Sequence, residues 1–386
     1  MATYVIVGAG LAGAKAAQTL REEGSGDEIV LIGAETERPY ERPPLSKEYL
    51  LGKSEREKIF VHGAGWYADN DVDLRTGLRV TRVELDEHVV RFADGSRQAY
   101  DKLLIATGAT PRRLPGPALY LRTVGDSETL KARYADAERV IIVGAGWIGL
   151  ETAAAARKAG CAVTIVEPDP TPLYRPLGPE LGEVFARLHR RNGVDLRTGT
   201  GAAEITETGV RLSSGERLTA DLVVVGIGAA PEVGLARDAG LEVGSGILTD
   251  AALRTSHPDV FAAGDVAEAF HPLYGRRIRV EHWANALNGG PVAARSMLGQ
   301  DVTYDRVPYF YTDQYDLGME FSGDIRGYDE VVYRGSVPDQ EFVAYWLREG
   351  KVVAGMNVNI WDVVSEIQQL IRSGVTVDPK ELTSDR

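Results

Sequence analysis

Tyr4-Val5-Ile6-Val7-Gly8-Ala9-Gly10-Leu11-Ala12-Gly13 decides the fold. The apolar run reads as a buried parallel strand, and three glycines spaced G-x-G-x-x-G turn it straight into a helix. In this pattern Gly8 permits the tight turn, Gly10 lets a pyrophosphate approach the backbone, and Gly13 lets the helix pack on the strand. The phosphates then lie on the helix N-terminus. The surroundings agree: Ala14 to Leu20 suits a helix, Gly24 and Gly26 suit its end, and a second strand follows at Glu28 to Ile32. Glu35 stands where an acid would grip a ribose diol. The plain alternative is a phosphate-free turn in a parallel sheet.

The same pattern recurs. Val140-Ile141-Ile142-Val143-Gly144-Ala145-Gly146-Trp147-Ile148-Gly149-Leu150-Glu151 restates the opening, with an alanine-rich helix to Lys158, a stop at Gly160 and a strand from Ala162 to Val166 leading to Glu167. The last glycine and the acid are 22 residues apart in the first copy (13 to 35) and 18 in the second (149 to 167). Both suit the interval of roughly 20 residues that a dinucleotide site needs. Two such sites imply two dinucleotides, and a flavin with a nicotinamide is the pairing that makes redox sense.

Between the copies, Glu37 to Lys47 is too rich in proline for a regular helix and reads as a loop entering a helix near Leu45, either a solvated charged loop or one with Arg42 and Lys47 in reach of the dinucleotide. Residues 59–105 read as short strands and turns. Lys102 to Ile105 is a further buried strand ending at Ala106-Thr107-Gly108, and Leu222 to Val225, ending at Gly226 to Gly228, is its counterpart. Strand ends of this kind form the ligand edge of a parallel sheet. The chain returns through Val260-Phe261-Ala262-Ala263 to Gly264-Asp265, whose carboxylate suits a polyhydroxylated chain or, alternatively, the cap of a helix beginning at Val266. Arg279 to Ala286 opens a helix running through Arg295. From Asp301 onward, aromatic strand-like segments and an amphipathic helix over Val363–Arg372 predict an antiparallel sheet domain.

With 386 residues the chain accommodates two or three domains, and 43 Lys+Arg against 56 Asp+Glu leave a net charge of -13. That balance disfavours non-specific nucleic-acid binding. Met1 leads within three residues into the first strand, so no signal peptide is expected, and no apolar run approaches a bilayer span; the expected location is the cytoplasm. Cys161 is the only cysteine, which excludes an internal disulfide or dithiol, and no metal site is expected.

Arg42-Pro43-Pro44-Leu45-Ser46-Lys47, Gly264-Asp265, Glu281-His282-Trp283-Ala284-Asn285-Ala286 and Pro308-Tyr309-Phe310-Tyr311-Thr312-Asp313-Gln314-Tyr315-Asp316, together with both glycine motifs, resemble the two-dinucleotide-binding flavoprotein superfamily of pyridine nucleotide oxidoreductases. Within it they resemble the ferredoxin reductases that serve bacterial oxygenases. The resemblance implies an α/β fold: two Rossmann-like dinucleotide-binding domains, one for FAD (residues 1–113 and 236–305) and one for NAD (114–235), then a C-terminal α+β interface domain (306–386). It implies cofactor contacts at Gly8, Gly10, Leu11, Ala12, Gly13, Glu35, Arg42 and Lys47, at Ala106, Thr107, Gly108 and Arg112, and at Gly264, Asp265, His282 and Trp283. In the second unit it implies Gly144, Gly146, Trp147, Ile148, Gly149, Glu151, Glu167 and Gly228. Lys47 would lie near the flavin ring, Asp265 would hold the ribityl chain, Glu151 would meet the nicotinamide carboxamide and Trp283 would border the flavin. Lys47, Glu151 and Trp283 are thus the expected catalytic residues. Glu151 has a plainer alternative role as a first-turn acid favoured by the helix dipole. Asn288-Gly289-Gly290 departs from the glutamine-glycine expected after the Trp helix.

The implied activity is transfer of electrons from NADH through FAD to a [2Fe-2S] ferredoxin feeding a cytochrome P450 or Rieske oxygenase. Arg276, Arg277 and Arg279 are a candidate basic docking patch for that partner, or else a solvated turn. The alternatives are an NADH oxidase or another flavin-dependent NADH oxidoreductase, and an NADH-sensing flavoprotein resembling apoptosis-inducing factor.

Overall fold

The first strand, β1 (Thr3–Val7), enters α1 (Leu11–Glu22) through the glycine turn and continues to β2 (Glu28–Ile32). In this computed structural model, which describes residues 2–383, β3 (Val72–Arg75) and β4 (Lys102–Ile105) then extend the sheet to either side. The insertion contributes β5 (Arg139–Val143), α2 (Trp147–Lys158), β6 (Ala162–Glu167), α3 (Tyr174–Arg191), β7 (Asp195–Thr198) and β8 (Leu222–Val225). The chain returns with β9 (Val260–Ala262) and α4 (Trp283–Met297), and finishes with β10 (Tyr309–Gln314), β11 (Leu317–Gly323), β12 (Glu330–Ser336), β13 (Glu341–Arg348), β14 (Lys351–Val358) and α5 (Val364–Ser373).

Two units result: Met1–Glu41 with Arg56–Thr110 and Ala230–Pro308, and Arg42–Glu55 with Pro111–Ala229 and Tyr309–Arg386. The first is built on a parallel sheet in the order β9-β4-β1-β2-β3. Alternation along β1 sends Tyr4 and Ile6 into one core with Ala12, Ala16 and Leu20 of α1, and Val5 and Val7 into another with Val80, Val83, Val90 and Phe92. Burial on both faces explains why the strand reads as an unbroken apolar run.

The second unit repeats this plan, with parallel order β7-β6-β5-β8. The duplication extends beyond the glycine motifs: Val80–Glu84, Val89–Phe92 and Arg97–Ala99 form an antiparallel meander in one unit, and Ala202–Thr206, Gly209–Leu212 and Arg217–Thr219 form one in the other. In each copy the meander precedes the strand that ends at the ligand edge. The C-terminal sheet, antiparallel in the order β10-β11-β14-β13-β12, belongs to this same unit, as does the segment Arg42–Glu55.

Three local expectations change. Pro43–Ser46 is a 3-10 turn rather than the start of a helix. No helix begins at Val266: a 3-10 turn over Gly264–Val266 passes into a strand, Ala267–His271, which pairs with Arg276–Arg279, so the arginine cluster is a strand and not a solvated turn. A short helix, Trp66–Asp69, interrupts the strands and turns of residues 59–105. No helix among the described residues is long and apolar enough to cross a membrane.

Candidate functional site

Each unit presents a glycine-lined helix start. In the first, a Cβ at Gly8 would meet the Ala106 carbonyl oxygen at 2.1 Å and one at Gly13 would meet the Gly8 carbonyl oxygen at 2.1 Å, whereas nothing lies within 4 Å of a Cβ at Gly10. Gly8 and Gly13 are therefore packed, and Gly10 faces open space. No side chain caps α1 and no acid lies in its first turn. The helix Val124–Asp136, by contrast, carries a full capping box from Thr123 and Asp126. An uncapped helix end with an open glycine leaves amides and dipole for an anion.

Around the start of α1 the first unit gathers further residues from the resemblance. Leu11 and Ala12 form its buried first turn, and a Cβ on Gly264 would lie 3.2 Å from that of Ala12, bringing the Gly264-Asp265 turn beside the helix end. Ala106 follows β4; the Thr107 hydroxyl donates to the Glu232 carbonyl at 2.9 Å, and the Glu232 amide donates to Gly108. Glu35, beyond β2, accepts from the Tyr40 hydroxyl. His282 is the N-cap residue of α4, and Trp283 Nε1 donates to Glu41 at 3.2 Å. Burial pushes the Glu41 carboxyl up, with the Trp283 hydrogen bond and Lys15 pulling the other way. Asn288-Gly289-Gly290 lies inside α4 rather than after the Trp helix; a Cβ on Gly290 would meet the Ala12 carbonyl oxygen at 2.2 Å, so that glycine lets α4 lie tight on α1, whereas one on Gly289 would meet nothing closer than 3.9 Å.

In the second unit, a Cβ on Gly144 would meet Gly226 O at 2.4 Å and one on Gly149 would meet Gly144 O at 2.0 Å, while one on Gly146 would find nothing closer than 3.9 Å. The start of α2 is likewise uncapped, with no acid in its first turn. Ile148 is 41% exposed there, and Trp147 packs against Phe310 at 4.6 Å and Phe185 at 5.7 Å. Glu167 ends β6 with both carboxylate oxygens on backbone amides, Ala145 at 2.6 Å and Asp169 at 2.8 Å. Arg175 lies 3.3 Å from Asp169 and so brings a cation to the end of β6. The Arg112 amide donates to Gly228.

Glu151 is not a first-turn acid. It lies one turn further into α2, 3% exposed, and accepts from Lys47 Nζ at 2.8 Å, from the Ser46 hydroxyl and from the Thr312 hydroxyl. These donors come from the 3-10 turn and its end and from β10. Beside them, burial pushes the Asp313 carboxyl up, while Lys47 pulls it down. Arg42, in the same segment as Lys47, donates to the Arg122 carbonyl.

In the arginine strand, alternation separates Arg276 from Arg277 and Arg279; Arg277 is exposed, Ile278 is buried and Arg279 pairs with Glu281. Cys161 is buried, with its thiol 3.3 Å from the Tyr134 carbonyl, and burial raises its pKa. Among the described residues no group of three or more His, Cys, Asp or Glu side chains is arranged to hold a metal. Sequence reading did not anticipate Glu41, Ser46 or Thr312 in these roles: Glu41 and Ser46 lay in the proline-rich loop, and Thr312 in a motif used only for the resemblance.

Residues 2–290 match the pyridine nucleotide-disulphide oxidoreductase family, and residues 309–386 match the reductase C-terminal family. The chain is 40% identical to the ferredoxin–NAD(+) reductase component of an anthranilate 1,2-dioxygenase system from Burkholderia cepacia, covering 98% of this chain and 96% of that protein. It is 37% identical to putidaredoxin reductase of Pseudomonas putida, covering 98% and 93%. Among solved structures, a covalent putidaredoxin reductase–putidaredoxin complex matches with a TM-score of 0.95 at 36% identity, covering 100% of this chain and 96% of that one. Two uncapped glycine-lined helix starts, a duplicated plan and these full-length matches converge: the chain belongs to the pyridine nucleotide-disulphide oxidoreductase family.

Proposed function

We propose that this chain is a cytoplasmic NADH-dependent ferredoxin reductase that passes electrons through FAD to a [2Fe-2S] ferredoxin serving a P450 or Rieske oxygenase. The observation that carries the proposal is the pair of uncapped helix starts, one per unit, each with an open central glycine between two packed ones. Full-length likeness to ferredoxin reductases, and to a putidaredoxin reductase solved in covalent complex with putidaredoxin, supports the choice of electron acceptor. The single buried cysteine leaves no internal dithiol, which disfavours a disulfide reductase.

FAD held at the first helix start would supply the acceptor for the NADH hydride and the donor of single electrons. The protein's part is binding and orientation. The first helix start holds the FAD pyrophosphate, Glu35 its ribose and Asp265 its ribityl hydroxyls. Trp283, fixed through Nε1 by Glu41, supplies an apolar plate that excludes water beside the flavin. The second helix start holds the nicotinamide dinucleotide, and Glu151 orients the carboxamide. The division into FAD, NAD and C-terminal domains at residues 113/114, 235/236 and 305/306 is part of the same proposal.

NADH is preferred to NADPH by at least tenfold in kcat/KM. Glu167 and Asp169 make the end of β6 acidic, and a 2′-phosphate placed about 4 Å from one carboxylate is repelled by roughly 1 to 4 kcal/mol. Arg175 offsets part of this. Glu167→Gln narrows the preference while retaining an acceptor for one amide; equal efficiency with both coenzymes in the parent defeats this assignment. The activity itself is tested by NADH-dependent reduction of a panel of [2Fe-2S] ferredoxins. Turnover with at least one, well above the rate of NADH oxidation by oxygen alone, is expected. Oxygen consumption with no ferredoxin reduced favours an NADH oxidase.

A further inference from the structure

Behind Glu151 the second unit contains a chain of buried polar groups that the proposed function does not use. The Thr312 hydroxyl donates to Glu151 Oε1 and accepts from Gln314 Nε2 at 3.2 Å, and Gln314 Oε1 lies 2.9 Å from His189 Nε2. Thr312, Gln314 and His189 are all buried, at 0%, 1% and 0% exposure. The direction of every bond is fixed by chemistry. An amide oxygen only accepts, so His189 Nε2 carries the proton; the Gln314 NH2 donates, so Thr312 is free to give its proton to the carboxylate. Burial holds the His189 pKa down to about 4, in keeping with a neutral ring. All three side chains thus donate toward Glu151, while Ser46 and Lys47 close on it from the 3-10 turn and its end.

We infer that Thr312 is a positioning residue for nicotinamide binding, holding the Glu151 carboxylate in one orientation, with Gln314 and His189 fixing the direction of its hydroxyl. Thr312 and Gln314 are alternate residues of β10, so their side chains lie on the same face of that strand, and His189 comes from α3. The chain therefore links the C-terminal sheet to the nicotinamide-binding acid. A neutral carboxamide gains a defined acceptor only if the carboxylate cannot rotate. Removing the Thr312 donor leaves Oε1 held by Lys47 alone, loosening the carboxylate and weakening that contact without touching the coenzyme directly.

The inference rests on the proposed contact between Glu151 and the carboxamide, and a double-mutant cycle separates the two. FAD-loaded parent, Thr312→Val, Glu151→Gln and the double variant are titrated with NAD+, following the flavin absorption band, with FAD content and thermal midpoint recorded for each. Thr312→Val is expected to raise the NAD+ Kd about tenfold, which is the loss of one charge-assisted hydrogen bond. FAD content should stay at the parent level, and Thr312→Ser should restore affinity to within about threefold. In the Glu151→Gln background the Val substitution should add less than threefold. Parent-like affinity in Thr312→Val, with Glu151→Gln impaired, overturns the inference alone, as does full additivity of the two changes. Parent-like affinity in Glu151→Gln overturns the carboxamide contact and the inference with it. Should Thr312→Val not yield folded protein, Thr312→Ala removes the same donor at smaller volume and carries the same expectation.

Discussion

Replacing Gly10 and Gly13 separately by alanine should split flavin binding from folding. At Gly13 the new Cβ falls 2.1 Å from the Gly8 carbonyl oxygen and 3.2 Å from Ile6 Cγ2. Ordinary contact needs about 3.5 Å, about 1.4 Å more than is present, so α1 must shift against β1 by roughly that distance. Overpacking of that kind costs about 1 to 3 kcal/mol or more. At Gly10 nothing lies within 4 Å, and φ -89°, ψ -169° is extended backbone that alanine adopts. There the cost is that of a poorer N-cap residue, about 1 kcal/mol or less. The methyl group instead takes the space a phosphate oxygen needs. Amide hydrogen bonds to a charged acceptor contribute about 1.5 to 3 kcal/mol each, so losing one weakens FAD by roughly 10- to 100-fold. FAD affinity is read by flavin fluorescence quenching, and stability by thermal unfolding of the flavin-free protein. Gly10→Ala should melt within a few degrees of the parent yet bind FAD weakly; Gly13→Ala should melt clearly lower. Parent-like FAD affinity in Gly10→Ala, or equal stability of the two variants, would refute this division of roles.

Three further outcomes are expected. His189 has its pKa lowered from an unfolded value near 6.5 to about 4, so the unfolded chain binds more protons between those values and stability falls as pH drops through the window. From pH 7.5 to 5 the loss from this residue is about 2 kcal/mol. His62 acts in the same direction, and the raised Glu41 and Asp313 act oppositely, so the comparison is with His189→Asn, which should lose markedly less stability than the parent over that range; identical pH profiles would count against a neutral buried ring. Arg277→Glu, exposed on its strand, should slow ferredoxin reduction, and the parent rate should fall with rising salt; unaltered partner kinetics would place docking elsewhere. Cys161→Ser should leave ferredoxin reduction within about twofold, because the thiol is buried against the Tyr134 carbonyl; loss of turnover with FAD retained would demand a thiol step.

The glycine motifs were legible because their logic is local: strand, turn and helix lie within a dozen residues, and the packed and open glycines follow from that geometry alone. The duplication was legible for the same reason, but its meanders were not: the first was read only as short strands and turns within residues 59–105, and the second was not read at all. The surroundings of Glu151 were not legible. Its partners Ser46 and Thr312 are 105 and 161 residues away in sequence, and only the folded unit brings them together. The Trp283–Glu41 bond spans 242 residues and was hidden likewise. At Val266 local preference misled: Ala267, Glu268 and Ala269 favour a helix, yet pairing with Arg276–Arg279 holds them extended, as tertiary context overrides propensity.

The most direct test is sequential-mixing stopped flow without oxygen. The purified protein is first reduced with one equivalent of NADH, followed by bleaching of the flavin band, and then mixed with excess oxidised [2Fe-2S] ferredoxin. Reoxidation of the flavin should accompany reduction of two ferredoxins per FAD, because a hydride delivers two electrons and each cluster accepts one. A flavin that stays reduced in the presence of every ferredoxin tried, and reoxidises only when oxygen is admitted, would contradict the assignment.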